Sequence, residues 1–529
     1  MERVSGLINA GKYQSNLQKL SISVVLIFVL LWVAGCATLQ KDFPRSESYA
    51  LEPGPAGTLA RVTEKIQADL KPNESGFLML ARNDQALRWR LALVDLAEHT
   101  IDIQYFIWHG DESGLLLLKR LVRAADRGVR VRLLIDDILN KKGSHVIPAL
   151  NYHPNFEVRV FNPWEGRHGI MSGFEFLFNM KRLNHRMHNK LMVADNRMTI
   201  VGGRNIGNEY FGLDEAFNFS DMDVLAAGPI ARRVSRSFDI YWNSEWAYPG
   251  QGLAPEASNA ENLEKLRDYL ATFLDDEKSR QLLAEFPLEP HTWEEELNHF
   301  ITNRHSGTAG VVFDKPLVGK DIPPVQLTES LRDFAVGAEQ EVLISSPYFI
   351  PDDGFLAGLK EFAENGVRIK ILTNSLASTN HAIVHSAYKK YRKPVVDNGG
   401  ELYEARNDAA VKPIYDTPPV NSKHLGLHSK VFVVDRHLIY IGSLNLDPRS
   451  IYINMEFGLT IDSPGLGEEI AAVLDQYLAP ENSWRVKLDE KGRLSWVSSA
   501  GTIDKEPARG TWQRISVGFY GLLPIEDQL

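Results

Sequence analysis

One short motif occurs twice in this chain, 240 positions apart: HNKLMVAD from His188 to Asp195, and HSKVFVVD from His428 to Asp435. Each reads His-x-Lys, four residues, then Asp. Each is followed by a glycine-containing turn ending in Asn, Gly202-Gly203-Arg204-Asn205 and Gly442-Ser443-Leu444-Asn445. A lone His-x-Lys arises by accident often enough to mean little. Two copies with one internal spacing and one downstream Asn mark a duplication, and a repeat of this length is a domain, not a solenoid unit. The chain must therefore build two similar halves.

The duplication extends beyond the motifs. Ile101 to Trp108 (IDIQYFIW) matches Val342 to Pro351 (VLISSPYFIP), and Arg123 to Asp137 matches Glu361 to Ser375. In each half an apolar strand is followed by a helix, a Gly-Val-Arg turn and a second apolar strand. That is the right-handed βαβ pattern of a largely buried sheet. Each motif then reads as one strand of a hairpin, with Asp195-Asn196-Arg197 and Asp435-Arg436-His437 as the turns. The pattern predicts an α/β fold of two duplicated domains, residues 76–250 and 323–498. A chain of 529 residues with 44% hydrophobic content has room for both. Residues 36–75 read as an N-terminal linker and 251–322 as an inter-domain connection. Within the connection Leu263, Leu266, Leu270 and Leu274 recur at helical spacing, and a second helical stretch opens at Glu296. The stretch from Lys393 to Lys423 reads as a long insertion, either a lid over the site or a solvated loop. Residues 499–529 form a tail.

In a strand, side chains alternate faces, so His188 and Lys190 point the same way, as do His428 and Lys430. A His beside an ammonium suits a phosphodiester. The imidazole can attack phosphorus while the Lys and the Asn amide hold the non-bridging oxygens as charge builds. One half-site lacks a group to protonate the leaving alcohol, and a second His from the other copy supplies it, as acid and then as base. His188, Lys190 and Asn205 with His428, Lys430 and Asn445 are thus expected to form one shared site at the interface of the halves. The chain has no His-Glu-x-x-His motif, and Cys36 is its only cysteine, so no metal cluster competes with this reading. Asp195 and Asp435 fall at hairpin turns, where Asp is favoured for backbone reasons, so a structural role stands beside a catalytic one.

The paired motifs resemble those of the phospholipase D superfamily, and from about Gly76 to Val497 the chain is similar to bacterial cardiolipin synthases of the C type. The segments carrying the resemblance are Ala97 to Trp108, Arg186 to Gly212, Ile371 to Ser378 and Ile441 to Ser450. The resemblance implies two phospholipase D-like domains around one active site, a phosphohistidine intermediate, and no metal or other cofactor. It also implies an acidic residue downstream of each motif that orients a histidine through its second nitrogen. Matching SDMDV to INMEF assigns Asp223 and Glu456 to that role, with extra residues ahead of the acid in the first half. Gly203 departs from the usual Ser, which Ser443 keeps.

The N-terminus reports on location. Lys12 and Lys19 precede an apolar run from Leu20 through Trp32, and Val33-Ala34-Gly35-Cys36 follows. This is the pattern of a lipoprotein-type signal peptide, residues 1–35, with Cys36 as the lipidation site; an uncleaved anchor is the alternative. Either places the catalytic body outside the cytoplasm and on a membrane of the bacterial cell envelope. Ala37, where Asp would favour inner-membrane retention, favours the outer membrane. The full chain carries a net charge of −10, and removal of Glu2, Arg3, Lys12 and Lys19 with the signal makes it more acidic still. That argues against a nucleic-acid partner, whose phosphate backbone selects a basic surface. Thr511 to Pro524 mixes Trp512, Phe519 and Tyr520 with Arg514, and reads either as an interfacial segment or as a tail docked on the body.

The expected function is transfer of a phosphatidyl group from a donor phospholipid to the headgroup hydroxyl of phosphatidylglycerol, giving cardiolipin. Phosphatidylglycerol and phosphatidylethanolamine are the donors considered. His188 is taken as nucleophile and His428 as acid/base, an assignment that the near symmetry of the motifs leaves reversible. The alternative is a phospholipase D that passes the same intermediate to water and releases phosphatidic acid. No motif residue distinguishes the two acceptors.

Overall fold

The computed structural model describes residues 39, 43–138, 145–165, 181–317 and 326–521. Cys36 and the apolar run before it lie outside the described residues.

The first half contributes β1 (Glu74–Leu80), β2 (Thr100–Tyr105), β3 (Arg130–Asp136), β4 (Phe156–Phe161), β5 (Leu191–Ala194), β6 (Met198–Gly202), β7 (Phe217–Ser220), β8 (Asp223–Ala227) and β9 (Ala247–Pro249). The second contributes β10 (His305–Phe313), β11 (Glu341–Ser345), β12 (Arg368–Asn374), β13 (Glu401–Ala405), β14 (His424–Leu427), β15 (Val431–Val434), β16 (Leu438–Gly442), β17 (Phe457–Asp462) and β18 (Ser483–Leu488), followed by β19 (Leu494–Ser498) and β20 (Gly501–Ile503).

In the first half the strands lie in the order β9-β4-β3-β2-β5-β6-β8-β1. In the second they lie in the order β10-β17-β16-β15-β11-β12-β13-β18. The two orders are mirror counterparts about an antiparallel β1–β10 pair, in which Glu74 faces Thr308 and Phe77 faces His305. One sheet therefore runs through both halves. β10, which the sequence reading left in the connection, is the first strand of the second half. The parallel pairs β2–β3 and β11–β12 are the expected βαβ units. Their crossover helices, Glu112–Asp126 and Asp353–Glu364, are capped alike: Asp111 accepts from the Gly114 N–H and Asp352 from the Phe355 N–H.

β5 and β15 are buried along their whole length, as strands covered on both faces must be. Toward the outside, Ile101, Ile103, Met192 and Ile200 pack under the helices of the first half. On the inner face, Phe77, Met187, Val193 and Val224 share one cluster with Val431, Val433, Met455 and Leu459. The helices Pro229–Trp242 and Pro464–Leu478 close this common core. The halves are thus welded by a continuous sheet and a joint apolar core.

The connection holds the expected helices, Ala260–Thr272 with Leu263, Leu266 and Leu270 buried, and Glu294–Asn303. The stretch from Lys393 to Lys423 is not a long loop: it contains β13 and most of the helix Arg392–Asp397, and the short helix Lys412–Tyr415. The N-terminal segment also packs: the Ala50 N–H donates to Asp239, and helix Thr58–Gln67 buries Leu59 and Ile66. No described helix is long and apolar enough to cross a membrane.

Candidate active site

Both hairpins turn through two residues in the left-handed region: Asp195 and Asn196 at φ 50° and 51°, Asp435 and Arg436 at 46° and 59°. That geometry matches the twist of paired strands, and Asx residues tolerate it. The Asp195 carboxylate accepts from the N–H groups of Glu98, His99 and Thr100. Asp435 does the same for Glu339, Gln340 and Glu341. Each motif Asp therefore fastens its hairpin to the turn leading into β2 or β11. Their place is structural, away from the histidines.

At the other end of each hairpin the sequence reading needs a correction. The strands begin at Leu191 and Val431, and the His-x-Lys segments precede them as extended lead-ins. The backbone N–H of each histidine bonds to the opposite half. The His188 N–H donates to Met455 O (2.9 Å), and Met455 N–H to Arg186 O (2.9 Å). The His428 N–H donates to Ser220 O (2.8 Å), where β14 pairs parallel with β7. Each histidine is thereby set beside an acid of the other half. Glu456 accepts from His188 Nδ1 at 2.8 Å, and Asp221 accepts from His428 Nδ1 at 2.5 Å. Both bonds engage Nδ1 and leave Nε2 outside the pair.

The second acid is Asp221, not Asp223. Register explains the difference. Gly442 pairs with Gly458 and Gly202 with Asp223, so the counterpart of Glu456 lies two residues before Asp223. Ser443 N–H to Phe457 O and Gly203 N–H to Met222 O give the same alignment. Asp223 instead forms ion pairs with Arg90 (2.9 Å) and Arg204 (3.2 Å), all three fully buried. Gly203 follows from this arrangement. A Cβ there would lie 2.3 Å from Asp221 Oδ1, so the carboxylate fills the space of the missing serine side chain. In the other half Ser443 Oγ donates to Glu456 and accepts the Phe457 N–H. Asp221 takes its second hydrogen bond from the Met222 N–H at 2.7 Å.

Lys190 and Lys430 are buried, each donating to the carbonyl of its own motif His, and Lys430 Nζ lies 3.0 Å from His428 Nδ1. Asn205 donates to the Tyr210 hydroxyl (3.0 Å) and Asn445 to Ser450 Oγ (3.1 Å). Phe106 packs edge-on against His188 and Tyr210 edge-on against His428, with Phe219 tilted against the same ring. All six expected groups come together, and Asp221, Tyr210, Ser450, Phe106 and Phe219 join them. Of these, Asp221 had a sequence signal, since it lies on the same strand face as Asp223.

Burial, and then the charges of Lys190, Lys430 and Arg449, hold the His188 imidazole well below its usual value. Burial, then Lys430 and Lys190, does the same to His428. Burial pushes Glu456 up to about 7 against the opposing pull of Lys190 and Ser443. It brings Lys430 down to about 8, with Asp221 and Glu456 opposing. Burial also holds Lys190 well below its usual value, with Glu456 opposing. The site thus presents two neutral imidazoles beside two buried lysine amino groups, whose charged forms a bound anion would favour. Among the described residues no group of three or more His, Cys, Asp or Glu side chains is placed to hold a metal ion.

A profile described as "Cardiolipin synthase, PLD-like domain" matches residues 91–242 and 331–479. The chain is 35% identical to cardiolipin synthase C of Escherichia coli over 86% of its own length and 96% of that protein. It is 23% identical to cardiolipin synthase A of Yersinia pseudotuberculosis over 85% of its length and 77% of that protein. Phosphatidylserine synthase of Haemophilus influenzae shares the fold, with a TM-score of 0.51 at 16% identity over 80% of this chain and 91% of that one. The chain belongs to the cardiolipin synthase-like branch of the phospholipase D superfamily. It is an enzyme of that type.

Proposed function

We propose that this enzyme makes cardiolipin by transferring a phosphatidyl group to phosphatidylglycerol through a phosphohistidine. The observation that carries the reading is the crossed pairing of each histidine with a carboxylate of the other half, around two buried lysines. His188 Nε2 attacks phosphorus, and the bond to the headgroup oxygen breaks as the P–N bond forms. Glu456 stabilises the positive charge gained by the imidazole. His428 protonates the departing alkoxide. Its proton becomes available because the phosphodiester anion, seated between Lys190 and Lys430, offsets the field that depresses the imidazole. The acceptor hydroxyl then gives its proton back to His428 as its oxygen displaces His188. Lys190, Lys430, Asn205 and Asn445 hold the non-bridging oxygens throughout.

The cardiolipin synthase relatives support this substrate class. The sequence supports an envelope location, with the enzyme attached through lipidated Cys36 and outer-membrane placement favoured. Purified enzyme given phosphatidylglycerol, with and without phosphatidylethanolamine, tests the reaction. Cardiolipin is the expected product; phosphatidic acid as the sole product would make the enzyme a hydrolase, and no lipid turnover would overturn both. Cys36→Ser should abolish fatty-acid labelling, and unchanged labelling would refute the anchor.

A further inference from the structure

The C-terminal helix Thr511–Tyr520 is docked on the enzyme by one side and bare on the other. Val517 is buried, and Gln513 donates to the Leu376 carbonyl. Trp512, Ile515 and Phe519, at positions i, i+3 and i+7, share the opposite face and are 82%, 54% and 62% exposed. No other described helix exposes three large apolar side chains. An apolar stripe of this kind on a water-facing surface marks a contact site.

The helix is mounted on the wall of the active site. It packs against helix Ala382–Tyr388, which follows His381, whose ring lies edge-on to Tyr348. Just ahead of it, Arg509 donates to the Thr379 carbonyl and lies over the Phe217 ring. Phe217 touches Phe219, and Phe219 touches His428. Asn374, at the start of the same supporting loop, exchanges two hydrogen bonds with Leu427, the neighbour of His428. The docked side of the helix thus rests on the segments that support His428, and the bare stripe faces away from them.

We infer that this helix lies in the headgroup region of an anionic phospholipid bilayer and presents the active-site mouth to it. The inference rests on the proposed function, because a site acting on bilayer phospholipids must meet the phosphate at the surface while the acyl chains stay in the membrane. The chemistry of the surface selects the occupant. Trp and Phe beside an aliphatic side chain suit the interface, where amphipathic helices insert shallowly. In a chain of net charge −10, this helix carries no carboxylate, and it carries Arg514. Lys389 reaches toward its C-terminal end, where a Cβ on Gly521 would lie 3.7 Å from Nζ. Arg514, whose guanidinium donates to the Glu506 carbonyl, and Lys389 make the surroundings of the helix cationic, which is complementary to phosphatidylglycerol headgroups.

The full chain is reconstituted into vesicles of phosphatidylglycerol and phosphatidylcholine, with brominated acyl chains in parallel samples. Quenching in the wild type minus that in Trp512→Phe isolates Trp512. It is expected to be quenched, and less so when phosphatidylglycerol is omitted. The variant W512S/I515S/F519S is expected to lose about tenfold or more in turnover of vesicle lipid. It should keep wild-type turnover of short-chain, monomeric phosphatidylglycerol and an unchanged melting profile. An unquenched Trp512, as when a protein partner covers the stripe, or full vesicle activity in the variant, would overturn the inference. If the wild type turns over neither substrate, the proposed function fails, and the quenching measurement still decides the placement of the helix.

Discussion

Replacing Asp221 by Asn tests the crossed geometry most directly. One oxygen of Asp221 accepts the Met222 N–H at 2.7 Å and the other accepts His428 Nδ1–H at 2.5 Å. In the Asp221→Asn variant the amide oxygen can keep the Met222 bond only by turning the amide N–H toward His428. The imidazole must then accept at Nδ1 and carry its proton on Nε2, the wrong tautomer for a base. The imidazolium formed during turnover also loses its carboxylate. A hydrogen bond to a charged group is worth roughly 1.5–3 kcal/mol. With the tautomer change, the expected loss in kcat is about 10²- to 10⁴-fold. The variant is isosteric, so its melting temperature should stay close to that of the wild type. Asp223→Asn should do the opposite. It removes the carboxylate shared by Arg90 and Arg204 inside the core, a change that costs roughly 3–5 kcal/mol. It should lower the melting temperature by several degrees while the protein that remains folded keeps most of its turnover. Calorimetry and initial rates on the two variants decide. A fully active Asp221→Asn, or an Asp223→Asn that melts normally but is inactive, would refute the register argument.

The pH profile should be a narrow bell. Below about 7 Glu456 is protonated and cannot stabilise the His188 imidazolium, so kcat/KM should rise through that pH; above about 8 Lys430 loses its charge and the rate should fall. A flat profile from pH 6 to 9 would contradict both assignments. Asp195→Ala strands three backbone N–H groups and should cost about 2–4 kcal/mol with little change in kcat per folded molecule, as read by denaturant titration. His428→Ala, given a donor with an activated headgroup, should accumulate a phosphatidyl adduct on the peptide containing His188, and His188→Ala should accumulate none. An adduct on His428 in the latter protein would reverse the roles.

Much of the site was legible because its parts repeat. His188, Lys190 and Asn205 have counterparts at fixed spacing, and the βαβ units announce themselves by apolar runs and Gly-Val-Arg turns. What escaped is set by contact between the halves, which no local pattern records. His188 and Lys190 fit a strand by alternation, yet they stand ahead of β5 because the His188 backbone is bound to Met455. Lys393 to Lys423 reads as a lid or a solvated loop because its Pro and Asp clusters hide β13, whose partner β12 is distant in sequence.

The acid was missed for a more specific reason. Sequence matching aligned Met222 with Met455, whereas the ladder aligns Met222 with Phe457. A shift of two residues keeps every side chain on its face, so burial pattern could not expose the error. Chemistry could have. An acid at 223 leaves Gly203 without a purpose, whereas an acid at 221 occupies the space that a serine at 203 would need. The departure from the family pattern at Gly203 is thus tied to the acid beside it: Asp221 fills the space that Ser443 occupies next to Glu456 in the other half.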